Sequence, residues 1–333
     1  MPKRTVDLGA RDALLDIVSF GRRGPGRGAS ITPAQRAQIA RTVRRTPEVM
    51  IKVSGGGRSL KAIKNHVEYI GREGELELET DEDERLKGDD VAQQLIEDWD
   101  LDLVTHRRQA AVAVTNGRKP PRLVHNIIFS MPAGTPPEKL FAAVRKFAQE
   151  EFALQHRYAM TLHTDQKHPH VHVVVKAMSE EGVRLNIHKA TLRDWRQEFA
   201  GHLREHGIEA NATDRAVRGA TTNRKSDGIY RAIRRGESTH MRERIQSAHS
   251  DVLRGDIRVD PGKTKLLDTR AQVERGWRAV SDLLQYQGKS DLAGEVRQFV
   301  DRMPPPHTER EGILEQLQNH RRSEYVHEKL RVR

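Results

Sequence analysis

Cysteine is absent from all 333 residues. That excludes disulfide scaffolds, thiolate metal sites and cysteine nucleophiles, so any metal must be held by histidine and carboxylate. Aromatic residues are scarce, at 5%. No apolar run reaches the roughly 20 residues a membrane-spanning helix needs. The start, MPKRTVDLGARDALL, lacks the uninterrupted apolar segment of a secretion signal. No membrane insertion is expected, and a soluble cytoplasmic protein is the default. Positive charge is what the chain has in excess: 58 Lys and Arg against 47 Asp and Glu, a net charge of +11. Polyanions are the partners such a surface attracts. At about 150 residues per domain, the length predicts one or two domains.

The charge is unevenly spread. Residues 1–50 hold ten Lys/Arg and four Asp/Glu, with a Gly/Arg-rich stretch, GRRGPGRG, ahead of a short predicted helix over 33–45. Residues 1–47 therefore read as a basic, partly disordered arm. Residues 73–90, EGELELETDEDERLKGDD, hold ten acidic and two basic residues with no apolar period, and read as an exposed acidic insertion. Residues 215–235 carry seven basic residues and one acidic, and three polar helices are predicted beyond them, near 237–254, 267–290 and 308–329. The expected organisation is an arm over 1–47, a folded core over 48–213 containing the insertion, and a basic helical region over 214–333.

Within that core, strands are predicted at 49–53 (VMIKV), 122–130 (RLVHNIIFS), 157–163 (RYAMTLH) and 170–177 (HVHVVVKA). Helices are predicted at 58–72, 137–154 and 189–206. The last two strands are joined too tightly for a crossover, which favours antiparallel pairing. The fold class expected is α+β, a central antiparallel sheet flanked by helices, followed by a mostly helical C-terminal region. The SGGGRS turn before the first of these helices lacks the Gly-Lys-Ser/Thr ending of a phosphate loop, and serves to turn the chain sharply.

The most informative stretch is HTDQKHPHVH at 163–172, which holds four of the sixteen histidines and an Asp. Side chains alternate along a strand, so His170 and His172 stand side by side while Val171, Val173 and Val175 face the core. Pairing across the turn brings His163 from the neighbouring strand. Three nitrogen donors with open positions for solvent or substrate have the form of a catalytic metal site. Asp165 can orient a ligand imidazole, and His168 is a reserve ligand. A lone histidine would be read as polar surface; a strand-spaced pair with a third is not.

On the helix 58–72, Leu60, Ile63, Val67 and Ile70 cluster on one side and Tyr69 lies about 140° from them, outside the core. Arg58, Lys61 and Arg72 share its side. Those cations attract phosphate and favour the phenolate, a setting suited to a nucleophile on phosphorus.

HVEYIGREGELELE at 66–79, NIIFSMPAGT at 126–135 and HTDQKHPHVHVVV at 163–175 occur in this order. With them the sequence resembles the relaxases, or mobilisation nucleases, of conjugative plasmids in the HUH endonuclease superfamily, and especially the branch that contains the T-DNA border endonuclease. The third motif, H-x-D-x-x-H-x-H-x-H, is the most specific. The resemblance implies Tyr69 as nucleophile and Ser130 as a serine that holds DNA on the 3′ side of the nick. It further implies His163, His170 and His172 as ligands of one divalent ion, Mg²⁺ or Mn²⁺. Asp165 either takes the phenolic proton or holds a histidine. Lys176 stands where relatives often carry Asn, so no role of that Asn is transferred.

The same resemblance implies nicking of one strand at an origin of transfer by tyrosine transesterification, a 5′-phosphotyrosine adduct, and later rejoining. The substrate would be single-stranded or melted origin-of-transfer DNA. An accessory DNA-binding protein of the relaxosome, a coupling ATPase and a type IV secretion system are the implied partners, in the bacterial cytoplasm, with export alongside the transferred strand. Arg215, Arg218, Arg224, Lys225, Arg231, Arg234 and Arg235 are candidates for backbone contacts, beside Arg58, Lys61 and Arg72 near the tyrosine. Three rival readings remain. A rolling-circle replication initiator would place its histidines before its tyrosine, a hydrolytic metal-dependent nuclease would form no adduct, and a non-catalytic DNA-binding mobilisation protein would bind DNA without the histidines.

Overall fold

The apolar run ahead of Met131 folds into a buried central strand, and a sheet is built outward from it. The computed structural model describes residues 16–23, 29–101, 104–220, 232, 235–254, 260 and 262–315. They divide into two compact units, 45–212 and the combination of 1–44 with 213–333. Two helices come first, α1 (Ile17–Arg23) and α2 (Pro33–Val43). The unit 45–212 then runs β1 (Met50–Gly55), α3 (Leu60–Ile70), β2 (Leu78–Thr80), β3 (Arg85–Leu86), α4 (Val91–Asp98) and α5 (Val104–Thr115). It continues with β4 (Val124–Ser130), α6 (Pro137–Glu151), β5 (Tyr158–His163), β6 (His170–Lys176) and α7 (Lys189–Glu205). Three further helices are α8 (Thr239–Arg254), α9 (Gly262–Tyr286) and α10 (Ser290–Asp301).

The six strands form one sheet in the order β1-β4-β6-β5-β2-β3, with every pairing antiparallel. The expected class, α+β with a central antiparallel sheet flanked by helices and a helical C-terminal region, is the class observed. Alternation along the strands gives the sheet two apolar faces. On one, Ile127, Phe129, Val171, Val173 and Val175 pack beneath Phe147 of α6 and Trp195, Phe199 and Leu203 of α7. On the other, Val124, Ala159 and Val174 meet Ile63, Val67 and Ile70 of α3 and Val91, Leu95 and Ile96 of α4. Ile63, Val67 and Ile70 recur at helical spacing, which is why α3 lies on the sheet by that side alone. The Ser59 side chain caps its N-terminus by accepting from the Ala62 N–H. A Cβ at Gly57 would run into Ile63. The glycine turn thus lets α3 start hard against the sheet.

Several expectations are corrected. Residues 73–90 are not simply an exposed insertion, because they contribute β2 and β3 to the sheet edge. Leu78 is buried in the second apolar cluster, and Arg145 and Arg157 form ion pairs with Glu79 and Asp81. Strands of three and two residues are too short to show an alternating pattern. The helices α1, α4, α5 and α10 had no counterpart in the expectation. The described part of 1–47 is not a separate arm: Ile17, Ile31 and Ile39 are buried with Val273, Trp277, Val280, Leu284, Val296 and Phe299. Arg44 also forms a bidentate pair with Glu295, at 2.8 Å through Nε and Nη2. Of the helix expected over 308–329, residues 316–329 lie outside the described residues. No helix among the described residues is long and apolar enough to cross a membrane.

Candidate active site

Strands β5 and β6 pair with His163 opposite His170 and Thr161 opposite His172. On the other side of β6, Ser130 lies opposite His170 and Ile128 opposite His172. Cross-strand partners share a face, so His163, His170 and His172 converge on the face against which α3 packs. All three are buried. Their ring centroids are 5.1 Å apart for His163 and His170, 4.6 Å for His163 and His172, and 5.1 Å for His170 and His172. One donor atom from each lies within 4.8 Å of the other two. The metal-ligand set expected from strand spacing is therefore brought together in space.

At His170 and His172 the ring environments favour ligation. His170 Nδ1 donates to the His168 carbonyl at 3.1 Å, which leaves Nε2 with the lone pair. His172 Nδ1 is buried without a hydrogen-bond partner, as is the Thr161 hydroxyl opposite it. Burial, reinforced by His163, His170, His66 and Arg72, pushes the His172 imidazole down to about 3. Burial also lowers His163, with Arg72 and His170 adding to it and the Ile70 carbonyl and Asp165 opposing. Neutral imidazole is the form that binds a metal, so this donor set fits a divalent ion.

Helix α3 brings the tyrosine. Ile63, Val67 and Ile70 hold the helix down while Tyr69 projects outward, 56% exposed. Its ring lies 6.5 Å from that of His172 and 6.4 Å from that of His66, which is itself 6.2 Å from His172. His66 Nε2 is buried without a partner, and burial lowers its imidazole. His66 had not been singled out, although it precedes Tyr69 by three residues and shares its side of the helix. After α3 the backbone turns through Arg72 and Glu73, with φ of 51° and 54°, a strained pair closed by the Glu73 N–H to the Glu68 carbonyl at 2.9 Å. The turn carries Arg72 back over the site. Its guanidinium carbon lies 5.3 Å from the centre of the Tyr69 ring. Its Nη2 donates to Asp165 Oδ2 at 2.5 Å and to His163 Nδ1 at 3.2 Å. Slight desolvation works against ionisation of Asp165, but the Arg72 hydrogen bond and charge hold its carboxyl below the usual range.

Other expected residues fall elsewhere. Arg58 gives its guanidinium to the Pro120 carbonyl, and Lys61 lines a groove with Lys64, Gln93, Glu97 and Asp100. Both lie toward the far end of α3 from Tyr69, because sharing a side of a helix does not mean sharing a turn. Ser130 is buried, and its hydroxyl donates to the Pro169 carbonyl at 3.2 Å. The His168 side chain is exposed, and what it offers the site is the backbone carbonyl held by His170. Lys176 is buried and paired with Glu180 at 2.8 Å. Arg215 is exposed, Arg218 is partly buried, and Arg235 pairs with Glu237 at 2.7 Å, all in the other unit. Arg224, Lys225, Arg231 and Arg234 lie outside the described residues.

Comparison with known proteins adds a family. Residues 77–208 match the relaxase family described as MobA/VirD2-like, nuclease domain. The matched segment holds Ser130 and the whole histidine motif, and begins beyond Tyr69 and Arg72. The chain is 29% identical over 215 residues to the T-DNA border endonuclease VirD2 of Agrobacterium fabrum, covering 59% of this chain and 46% of the relative. It is 28% identical over 219 residues to VirD2 of Rhizobium radiobacter, covering 61% and 50%. VirD2 of Rhizobium rhizogenes is 28% identical over 199 residues, covering 52% and 42%. The chain thus spans about half the length of the curated relatives it matches.

Proposed function

We infer from the match of residues 77–208 to the MobA/VirD2-like relaxase nuclease domain that this chain is a relaxase, which nicks one strand of DNA at an origin of transfer by tyrosine transesterification. The observation that carries this reading is the exposed Tyr69 ring 6.5 Å from a buried histidine of a three-imidazole cluster, with Arg72 spanning both. His163, His170 and His172 would hold a divalent ion, which would supply Lewis acidity toward the scissile phosphate. Three imidazoles suit Mn²⁺ better than oxygen-loving Mg²⁺.

In this reading Tyr69 Oη forms a bond to phosphorus as the bond from phosphorus to the 3′ oxygen breaks. The 3′ oxygen leaves with the bonding electron pair and takes up a proton from solvent to become a hydroxyl, and the DNA 5′ end is carried as a phosphotyrosine. The phenolic proton passes to His66, whose lowered basicity keeps it neutral and able to accept. Asp165 acts as the positioning residue that holds Arg72, and the Arg72 guanidinium binds phosphate oxygens. Ser130 fixes the turn leading into His170 through the Pro169 carbonyl. One phosphodiester is exchanged for another, so the reverse step, rejoining the strand, needs no ATP. The substrate is a single-stranded or melted segment. An accessory DNA-binding protein, a coupling ATPase and a type IV secretion channel are the proposed partners of the whole protein, which works in the bacterial cytoplasm and leaves with the transferred strand.

The test is incubation of the purified chain with Mn²⁺ and supercoiled plasmid carrying its origin, followed by denaturation in SDS. A protein adduct on a DNA 5′ end is expected, and Tyr69→Phe lowers its yield by about three orders of magnitude. Nicking without an adduct that is indifferent to Tyr69→Phe assigns the site to water-driven hydrolysis instead.

A further inference from the structure

A neutral imidazole has one lone pair. At His163 it is already taken. Nε2 lies 2.7 Å from the Ile70 carbonyl oxygen, which only accepts, so Nε2 carries the hydrogen. Nδ1 then holds the lone pair and accepts from Arg72 Nη2 at 3.2 Å. We infer that Arg72 and a divalent cation compete for His163, so that loading the metal centre releases the guanidinium from His163 and leaves it to the Tyr69 side of the site. This rests on the reading of the three histidines as metal ligands.

The competition does not depend on which nitrogen the cation takes. A cation on Nδ1 displaces Arg72 directly. A cation on Nε2 breaks the bond to Ile70 and moves the hydrogen to Nδ1, where it faces an N–H of Arg72. Two donors then stand head to head, and Asp165 Oδ1, 4.0 Å from Nδ1, becomes the acceptor. Either way the bond between Arg72 and His163 is lost, and repulsion between the guanidinium and the cation works in the same direction.

Arg72 remains anchored when this happens. Asp165 holds the same nitrogen at 2.5 Å, and the guanidinium already lies over the Tyr69 ring. Freed from His163 but kept by Asp165, its fork of N–H donors is offered to phosphate oxygens beside the nucleophile. One residue thus competes with the metal for His163 and, once displaced, supplies a phosphate contact. Binding of metal and binding of DNA should therefore reinforce each other.

The test is calorimetric titration of the full chain with Mn²⁺. Arg72→Met keeps the aliphatic stem and removes the donors, and is expected to bind Mn²⁺ about tenfold more tightly than the unaltered chain. A misfolded variant would lose affinity, so the expected gain cannot come from damage; equal or weaker binding overturns the proposal. Loss of a positive charge would also favour a cation, so a second readout follows the bond itself. In ¹⁵N spectra of arginine side chains, the Arg72 signal, identified by its absence in Arg72→Met, should shift on saturation with Mg²⁺. A signal that stays in place overturns the proposal whatever the affinities. His172→Ala tests the underlying reading separately: Mn²⁺ binding that survives it means the three histidines are not the metal centre.

Discussion

At the residue scale, His66 is the side chain whose chemistry turns most on its surroundings. Its ring lies 6.4 Å from that of Tyr69 and 6.2 Å from that of His172, with a buried, unpartnered Nε2, and burial keeps it neutral. Asp165, the other group able to take the phenolic proton, is engaged by Arg72 and is a weaker base for it. His66→Phe preserves a ring in the same place and removes the acceptor. Adduct formation at pH 7 is expected to fall about a hundredfold or more, with binding of an origin oligonucleotide, followed by fluorescence anisotropy, unchanged. An unaltered rate would hand the proton to Asp165. The histidine cluster itself was legible because β6 has period two and the turn after β5 is short, so that spacing alone put His163, His170 and His172 together. Tyr69 was legible as an outward residue from its helical angle. Arg58 and Lys61 were misplaced because the angle ignores the rise: at about 1.5 Å per residue, Lys61 lies about 12 Å from Tyr69 along the axis of α3. Arg72 was placed beside Tyr69, but its grip on His163 and Asp165 depends on a left-handed backbone turn that side-chain periodicity does not report.

At the scale of elements, the acidic segment shows what pattern reading misses. Its charges suggested solvent, yet β2 joins β5 with Glu79 opposite Met160, and the Glu79 carboxylate is buried against Arg145. Leu78 and two ion-pairing arginines more than sixty residues along the chain do the anchoring, and such long-range partners leave no local period. Removing the arginine strands a buried carboxylate. Arg145→Ala is expected to cost about 2 kcal/mol in urea unfolding, less than for a fully buried pair because the Arg145 side chain is 35% exposed. Replacing both partners, as Arg145→Met with Glu79→Leu, should recover most of that loss. If the single change costs nothing, the edge strand is held by Leu78 and backbone pairing alone. Strands β1, β4, β5 and β6 and helices α3, α6 and α7 were legible because each carries a clear apolar period. Helix α10 was missed, the expected helix ending at 290, although its apolar face, Ala293, Val296, Phe299 and Val300, recurs at helical spacing.

At the scale of the whole molecule, several histidines fold in the neutral state, and their sum sets how stability responds to acid. His125 of β4 is clear of the metal ligands. Burial pushes it down to about 4, helped by Arg122, Arg184 and His156 and only partly opposed by a backbone hydrogen bond at Leu185. Its Nδ1 is buried with no partner. A histidine depressed in the fold binds its proton more readily when the chain is unfolded. Its contribution is therefore complete above the ordinary value of 6.5, declines as pH falls, and is gone below about 4. That interval corresponds to about 3 kcal/mol, of which about 2 is lost by pH 5. His172 and His163 are lowered as well and add to the same slope when no metal is bound. Urea unfolding in the presence of EDTA should show stability falling steadily from pH 7 to pH 5. His125→Gln should be less stable at pH 7 but lose less on acidification, the two curves converging near pH 5. Curves that stay parallel would mean that His125 is protonated alike in the folded and unfolded chain. Excess Mn²⁺ should steepen the dependence on pH, because protons and metal compete for the same imidazoles: at one hundred times its dissociation constant the metal adds about 2.7 kcal/mol near neutrality, and that increment fades as the ligands protonate.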